Sequence, residues 1–318
     1  MQFTTKIPIP QNPNPIDYNS KIVSLGSCFA ENIGDKFQYF KFQSNTNPFG
    51  IIFNPVSIER IIERVVKDIL FTDEDVFFHN ERWHSFEVHS DVSNLSKENL
   101  LSNLNQILVE TKKRLQEASH IIITYGTSWV YRNIENNSVV ANCHKVPQKQ
   151  FDKEILSAET IQSSIQNTLD LIRKLNPKVD FIFTVSPVRH IKDGFVENQV
   201  SKAHLITAIY RLLQTEHCKL NTKYFPSYEI MIDELRDYRF YAEDMLHPSQ
   251  VAINYIWERF FQTQISDEIH SVMKQVCTIQ KGLQHRPFNS NSESHQQFLS
   301  KLKDKMMQIQ KQFPQIQF

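Results

Sequence analysis

The sequence predicts an α/β fold built on a parallel sheet with helices on both faces, and three observations carry that expectation. KIVSLGS, SHIIITYG and VDFIFTVSP are continuous apolar runs, the pattern of strands buried on both sides. Segments of helical period separate them, so strand and helix alternate along the chain. Turn residues follow the strands directly, at Gly26, Gly126 and Pro187.

In order along the chain, KIVSLGS ends at Gly26 and leads straight into the helix-like CFAENIGDKFQYF. NPFGIIFNP is a turn-rich loop, after which Ser57 is expected to cap a helix whose stripe is Ile58, Ile61, Ile62, Val65 and Val66. Val76 to His89, rich in aromatics and histidines, reads as extended strands or loop. A helix from Lys97 to Ala118 precedes SHIIITYG, and Trp129 to Pro147 reads as a hairpin turning at Asn136-Asn137. Then follow a helix over Ala158–Asn176, the strand VDFIFTVSP, a helix over Gln199–Cys218, a strand SYEIMIDEL and a helix over Val251–Gln262.

Beyond Ser266 two amphipathic helices carry Ile269, Val272, Met273, Val276 and Ile279, and Phe298, Leu302, Met306 and Ile309. They read as a helical hairpin of residues 266–318 docked on a main domain of residues 1–265, with coiled-coil homodimerisation through the same helices as the alternative.

Composition removes several function classes. The 318 residues hold 35 basic and 35 acidic side chains at a pI near 7.2, so no basic field exists for nucleic acid. The first twenty residues lack an apolar secretion segment, and no run approaches the roughly 18–20 apolar residues of a membrane span, so a cytoplasmic protein without a membrane partner is expected. Cys28, Cys143, Cys218 and Cys277 lie far apart, which suggests free thiols. The six glycines form neither GxGxxG nor a phosphate-cradling loop, so no nucleotide cofactor is expected.

In a doubly wound sheet, chemistry gathers where the carboxyl ends of the strands meet loops and helix N-termini. Those loops hold Gly26-Ser27, Gly126-Thr127-Ser128, Ser186 to His190 and Asp244 to His247. A serine directly after the first strand can present its hydroxyl as a nucleophile and bring its own N–H to a developing oxyanion. His247 is the candidate base. It lies three residues after Asp244, close enough for the carboxylate to hold Nδ1–H and leave Nε2 for the serine, and Pro248 suits the first position of the final helix. Arg189, with His190 beside it, can hold a substrate carboxylate or phosphate through its planar fork; a salt bridge to Asp193 or Asp237 is the structural alternative.

GSCFA at residues 26–30 resembles the signature of the GSCFA-domain family, a bacterial branch of the SGNH/GDSL hydrolases. NPFGIIFNP, ANCHKVP, TVSPVRHIKDG, DELRDYRFYAEDMLHPS and the RPF segment at Pro287 resemble that family's stretches in the same order, from about Lys21 to Phe298. The resemblance implies a flavodoxin-like three-layer fold and ester chemistry, with Ser27, Asp244 and His247 in the catalytic positions. It implies an oxyanion hole made by Ser27, Gly50 and Thr127. The third loop departs from the wider SGNH pattern, because Gly126-Thr127-Ser128 has no asparagine.

The expected activity is an acyl or acetyl esterase working through an acyl-enzyme on a small-molecule or carbohydrate ester. The alternatives are an O-acyltransferase, a binding module that retains the pocket without the rate, and a scaffold acting through the C-terminal helices. Cys28 reads as a buried structural thiol. Cys143 and His144, adjacent on an expected strand, would face opposite sides. His84 and His89 could join one of them around a metal, but no compact ligand spacing supports it, and neither metal nor cofactor is expected.

Overall fold

A computed structural model describes residues 4–215, 218 and 221–318. Its ten strands in chain order are β1 (Lys21–Gly26), β2 (Gln43–Thr46), β3 (Phe77–His79), β4 (Arg82–His84), β5 (His120–Tyr125), β6 (Trp129–Asn133), β7 (Val139–Val140), β8 (Phe151–Ile155), β9 (Asp180–Val185) and β10 (Thr222–Phe225). The helices are α1 (Cys28–Tyr39), α2 (Pro55–Lys67), α3 (Lys97–Glu117), α4 (Ala158–Leu175), α5 (Phe195–Leu213), α6 (Ser227–Glu229), α7 (Gln250–Gln264), α8 (His270–Gln284) and α9 (Glu293–Gln312).

The central sheet is parallel and runs β10-β9-β5-β1-β2, a flavodoxin-like order. Alternation along each strand divides the core into two layers. Val23, Leu25, Ile121, Ile123, Phe181 and Phe183 face a cluster with α2, α3, α4 and α5. Ile22, Ile122 and Ile182 face a second cluster with α1 and α7, which continues through Val272, Val276 and Ile279 of α8 to Leu302 and Ile309 of α9. Two long-range bonds add to this packing, from Gln280 Nε2 to Tyr39 O at 2.9 Å and from Gln315 Nε2 to Tyr18 O at 2.8 Å. Among the described residues no helix is long and apolar enough to cross a membrane.

Several local expectations change. SYEIMIDEL is not a strand: the final strand is the preceding TKYF, and residues 227–234 form a short helix continued as a π turn. Tyr228, Ile230, Met231 and Leu235 are buried at helical spacing, which outweighs the β-propensity of the isoleucines. Helix α5 begins one turn earlier than expected, at Phe195, and ends at Leu213; residues 216, 217, 219 and 220 lie outside the described residues. Ser249, not Pro248, borders α7, and its hydroxyl accepts from Ala252 N–H. Val76–His89 contains the β3–β4 hairpin, and the expected hairpin at Asn137 (φ 56°) gains β8 as a third antiparallel strand.

The cap of α2 also moves. Asn54 Oδ1 accepts from Ser57 N–H at 2.8 Å, and Pro55 follows it with its φ suited to a first turn. Ser57 Oγ is buried without a partner. Asn54→Ala is therefore expected to cost about 1 kcal/mol in urea unfolding. Ser57→Ala, which removes an unpaired buried hydroxyl, should be near neutral. The reverse order would restore Ser57 as the cap.

Candidate active site

The turn after β1 is built around Gly26. Its φ of +138° is one that side chains rarely adopt, and a Cβ there would lie 2.1 Å from Thr124 O on the neighbouring strand. Glycine thus lets the chain leave the sheet in direct contact with β5, and Ser27 N–H donates to Thr124 O at 3.0 Å. Ser27 is the N-cap of α1: its hydroxyl accepts from Phe29 N–H at 3.3 Å, and it is 2% exposed. Capping occupies a lone pair and leaves the hydroxyl proton available to a base. The N-terminal end of α1 also favours developing negative charge on that oxygen.

Asp244 and His247 meet as their spacing predicts. Asp244 Oδ2 lies 2.6 Å from His247 Nδ1, while Oδ1 accepts from Leu246 N–H at 2.9 Å and His247 N–H at 3.0 Å. Met245, with φ +58°, makes the tight bend that points both amides at one oxygen. Three donors hold the Asp244 carboxyl down at about 2, chiefly the His247 N–H, then the His247 ring and the Leu246 N–H. The carboxylate therefore stays ionised at any ordinary pH and fixes the ring tautomer. Both side chains are exposed, and among the described residues no hydrogen bond joins His247 to Ser27.

Arg189 clasps this loop. Its N–H donates to Leu246 O at 3.0 Å and its guanidinium to Met245 O at 2.9 Å, and the guanidinium sits within 5.6 Å of the Phe195, Tyr238 and Tyr241 ring centres. Neither expected carboxylate partner is used: Asp193 pairs with Lys153 and Asp237 lies by Arg239. His190, next in the chain, is largely buried. Its N–H donates to Asn198 Oδ1 at 2.8 Å, and its ring Nε2 has no partner. Burial first, then Lys202 and His247, depress its imidazole to about 3.

Gly50 and Thr127 are both engaged. Gly50 N–H donates to Asn47 O at 2.8 Å, and Thr127 Oγ1 lies 2.8 Å from Ser201 Oγ while accepting from Trp129 N–H at 3.1 Å.

Sequence reasoning missed Lys202. It is 1% exposed on α5, and its Nζ donates to Gly126 O at 2.6 Å and Ser186 O at 2.7 Å, pinning together the ends of β5 and β9. Burial pushes the amine down to about 7. A signal existed in the sequence, because Asn198, Ser201, Lys202, Leu205, Ala208, Ile209 and Leu212 form one helical face, and a lysine on an apolar stripe must find partners.

The histidine-rich excursion is structural. His84 lies between Ser93 Oγ (2.6 Å) and His79 O (2.9 Å), and His144 between Ser85 O (2.7 Å) and Ser90 Oγ (3.2 Å), with their rings 4.6 Å apart. His144 and Lys145 have positive φ, so this segment is a turn and not the strand on which Cys143 and His144 were expected to alternate. His89 caps a short turn through Asp91 N–H. Cys28 is half-buried rather than fully buried, and burial followed by Glu31 raises its thiol.

Fold and strand-end residues together define a flavodoxin-like α/β protein with a capped serine after its first strand and an Asp-x-x-His pair on its last loop. Residues 21–260 match the GSCFA family and residues 276–318 match the GSCFA domain protein, C-terminal domain, so the chain belongs to the GSCFA family. No curated protein matches it at a significant level. Among solved structures, a mutant acetyl esterase bound to acetate is similar at 10% identity and TM-score 0.37, over 81% of this chain and 99% of that one. A carbohydrate esterase family 3 protein from Talaromyces cellulolyticus has 10% identity and TM-score 0.37 over 80% and 98%. An acetyl xylan esterase from the rumen bacterium Butyrivibrio proteoclasticus has 10% identity and TM-score 0.38 over 81% and 66%.

Proposed function

We propose that the protein is a serine-dependent ester hydrolase that works through an acyl-enzyme. The observation that carries this reading is the pairing of His247 Nδ1 with the Asp244 carboxylate at 2.6 Å, on a loop that Arg189 ties to the end of β9. The pair orients Nε2 as a base, and Ser27 caps α1 without spending its proton. Ser27 Oγ attacks the ester carbonyl, His247 takes the proton and returns it to the departing alcohol, and water then releases the acid.

Ser27 N–H, Gly50 and Thr127 are the proposed oxyanion donors, each of which must give up its present partner to act. Arg189 and His190 are proposed to face the substrate. An acylated carbohydrate suits the aromatic walls of a nearby cavity of about 220 Å³ lined by Phe53, Trp129 and Tyr131. A binding-module reading draws support from the exposure of His247 and the absence of a bond to Ser27.

The test is labelling with a fluorophosphonate probe, located by peptide mass, together with turnover of p-nitrophenyl acetate. Label on Ser27 with turnover is the expected result. A folded protein that binds acylated sugars yet neither labels nor turns over would favour the binding module.

A further inference from the structure

We propose that His190 is a catalytic oxyanion donor, its Nε2–H bonding the oxygen of the tetrahedral intermediate formed on Ser27. The inference rests on the ester-hydrolase reading and adds to it a donor that has no present partner to give up.

The other candidate donors at the strand ends are committed: Ser27 N–H to Thr124 O, Gly50 N–H to Asn47 O, and Thr127 Oγ1 within its contacts to Ser201 and Trp129. His190 Nε2 is buried and unpartnered. An orphaned ring nitrogen calls for an explanation, and one aimed at the strand ends can find its partner in a substrate oxygen.

Its position fits that role. A Cβ placed on Gly126 would lie 3.5 Å from Nε2, so the ring stands over the end of β5. In register, Gly26 is opposite Thr124, which puts Gly126 just beyond the turn that carries Ser27. His190 also has its ring 6.2 Å from the Phe53 ring, centroid to centroid. Its backbone is fixed by Asn198, and Lys202 locks the two strand ends around it. With the imidazole depressed to about 3 by burial, Lys202 and His247, the ring is uncharged at working pH and can donate a hydrogen bond without surrendering its proton.

The step balances without an added reagent. As the Ser27 Oγ–carbon bond forms, the carbonyl π pair moves onto oxygen and the serine proton passes to His247 Nε2. His190 lends a hydrogen bond and keeps its proton. When the pair returns, the bond to the alcohol breaks and His247 protonates the leaving oxygen.

The experiment compares p-nitrophenyl acetate kinetics for wild type, Ser27→Ala, His190→Phe and His190→Gln. His190→Phe is expected to lose about 100- to 1000-fold in kcat with little change in KM. His190→Gln, whose amide N–H can reach the same point, should stay within about tenfold of wild type. If His190→Phe does not fold, His190→Asn, whose donor is drawn back by one methylene, takes its place with the same expected fall in kcat. Unchanged kcat in these variants, or a change confined to KM, alongside a wild type that depends on Ser27, would overturn the oxyanion role and leave the hydrolase standing. A wild type that neither labels nor turns over would remove the hydrolase reading and the inference with it.

Discussion

Ser27→Ala is expected to lose ester turnover by roughly 10⁴- to 10⁶-fold and, at the same time, about 1 kcal/mol of stability. The two losses have separate origins. The rate falls because the proposed nucleophile is removed and alanine offers no hydroxyl in its place. The stability falls because Phe29 N–H loses the acceptor that caps α1. Ser27→Gly separates them, since glycine at an N-cap costs only a few tenths of a kcal/mol. Both variants should be inactive and unlabelled, while only Ser27→Ala melts appreciably earlier. Should Ser27→Gly retain turnover, the serine is a cap and the nucleophile lies elsewhere.

Lys202→Met should produce the largest stability effect, and one that grows with pH. Methionine fills the space but orphans the carbonyls of Gly126 and Ser186, at about 1–3 kcal/mol each. The lysine itself is held at about 7 against an ordinary 10.5, so between those values the unfolded chain binds more protons than the folded one. Wild-type stability therefore rises with pH across that window, by on the order of 4 kcal/mol, and is lost again as pH falls toward 7. Lys202→Met removes this contribution. Its deficit is small near pH 7, where the cost of burying a cation is removed with the lysine, and approaches the full cost of two orphaned carbonyls by pH 10. Urea unfolding of both proteins at pH 7 and 9.5 measures the difference; parallel pH dependences would show that Lys202 is not the responsible group.

What the sequence revealed depended on how many sides of a segment were buried. KIVSLG, HIIITY and DFIFTV are covered on both faces, so their apolar runs announce them. The edge strands Gln43–Thr46 and Thr222–Phe225 are short and polar, and the apolar neighbour of the second drew the strand assignment onto what is a helix. The Asp244–His247 pair was legible because both partners lie within one turn of chain, where spacing limits geometry. Lys202 and His190 were harder to assign because their environments come from carbonyls and rings distant in sequence: Gly126 is 76 residues from Lys202. Arg189 is expected from the sequence either to hold a substrate anion or to pair with Asp193 or Asp237, but its partners are a backbone carbonyl and aromatic rings, which carry no charge pattern to read.

The second hydrophobic cluster has a consequence for biosynthesis. It joins Ile22, Ile122 and Ile182 of the sheet to Val276, Ile279, Leu302 and Ile309, side chains contributed by the last-made helices. A ribosome adding about 5–20 residues per second needs roughly 5–20 s to pass from the final strand to the end of that cluster. For most of that interval the loops of the candidate site already exist in the nascent chain while the opposite layer of the sheet is incompletely covered. Translation that stops short of α8 would release a product carrying the candidate-site loops together with a sticky apolar face, the kind of species that chaperones and proteases must intercept.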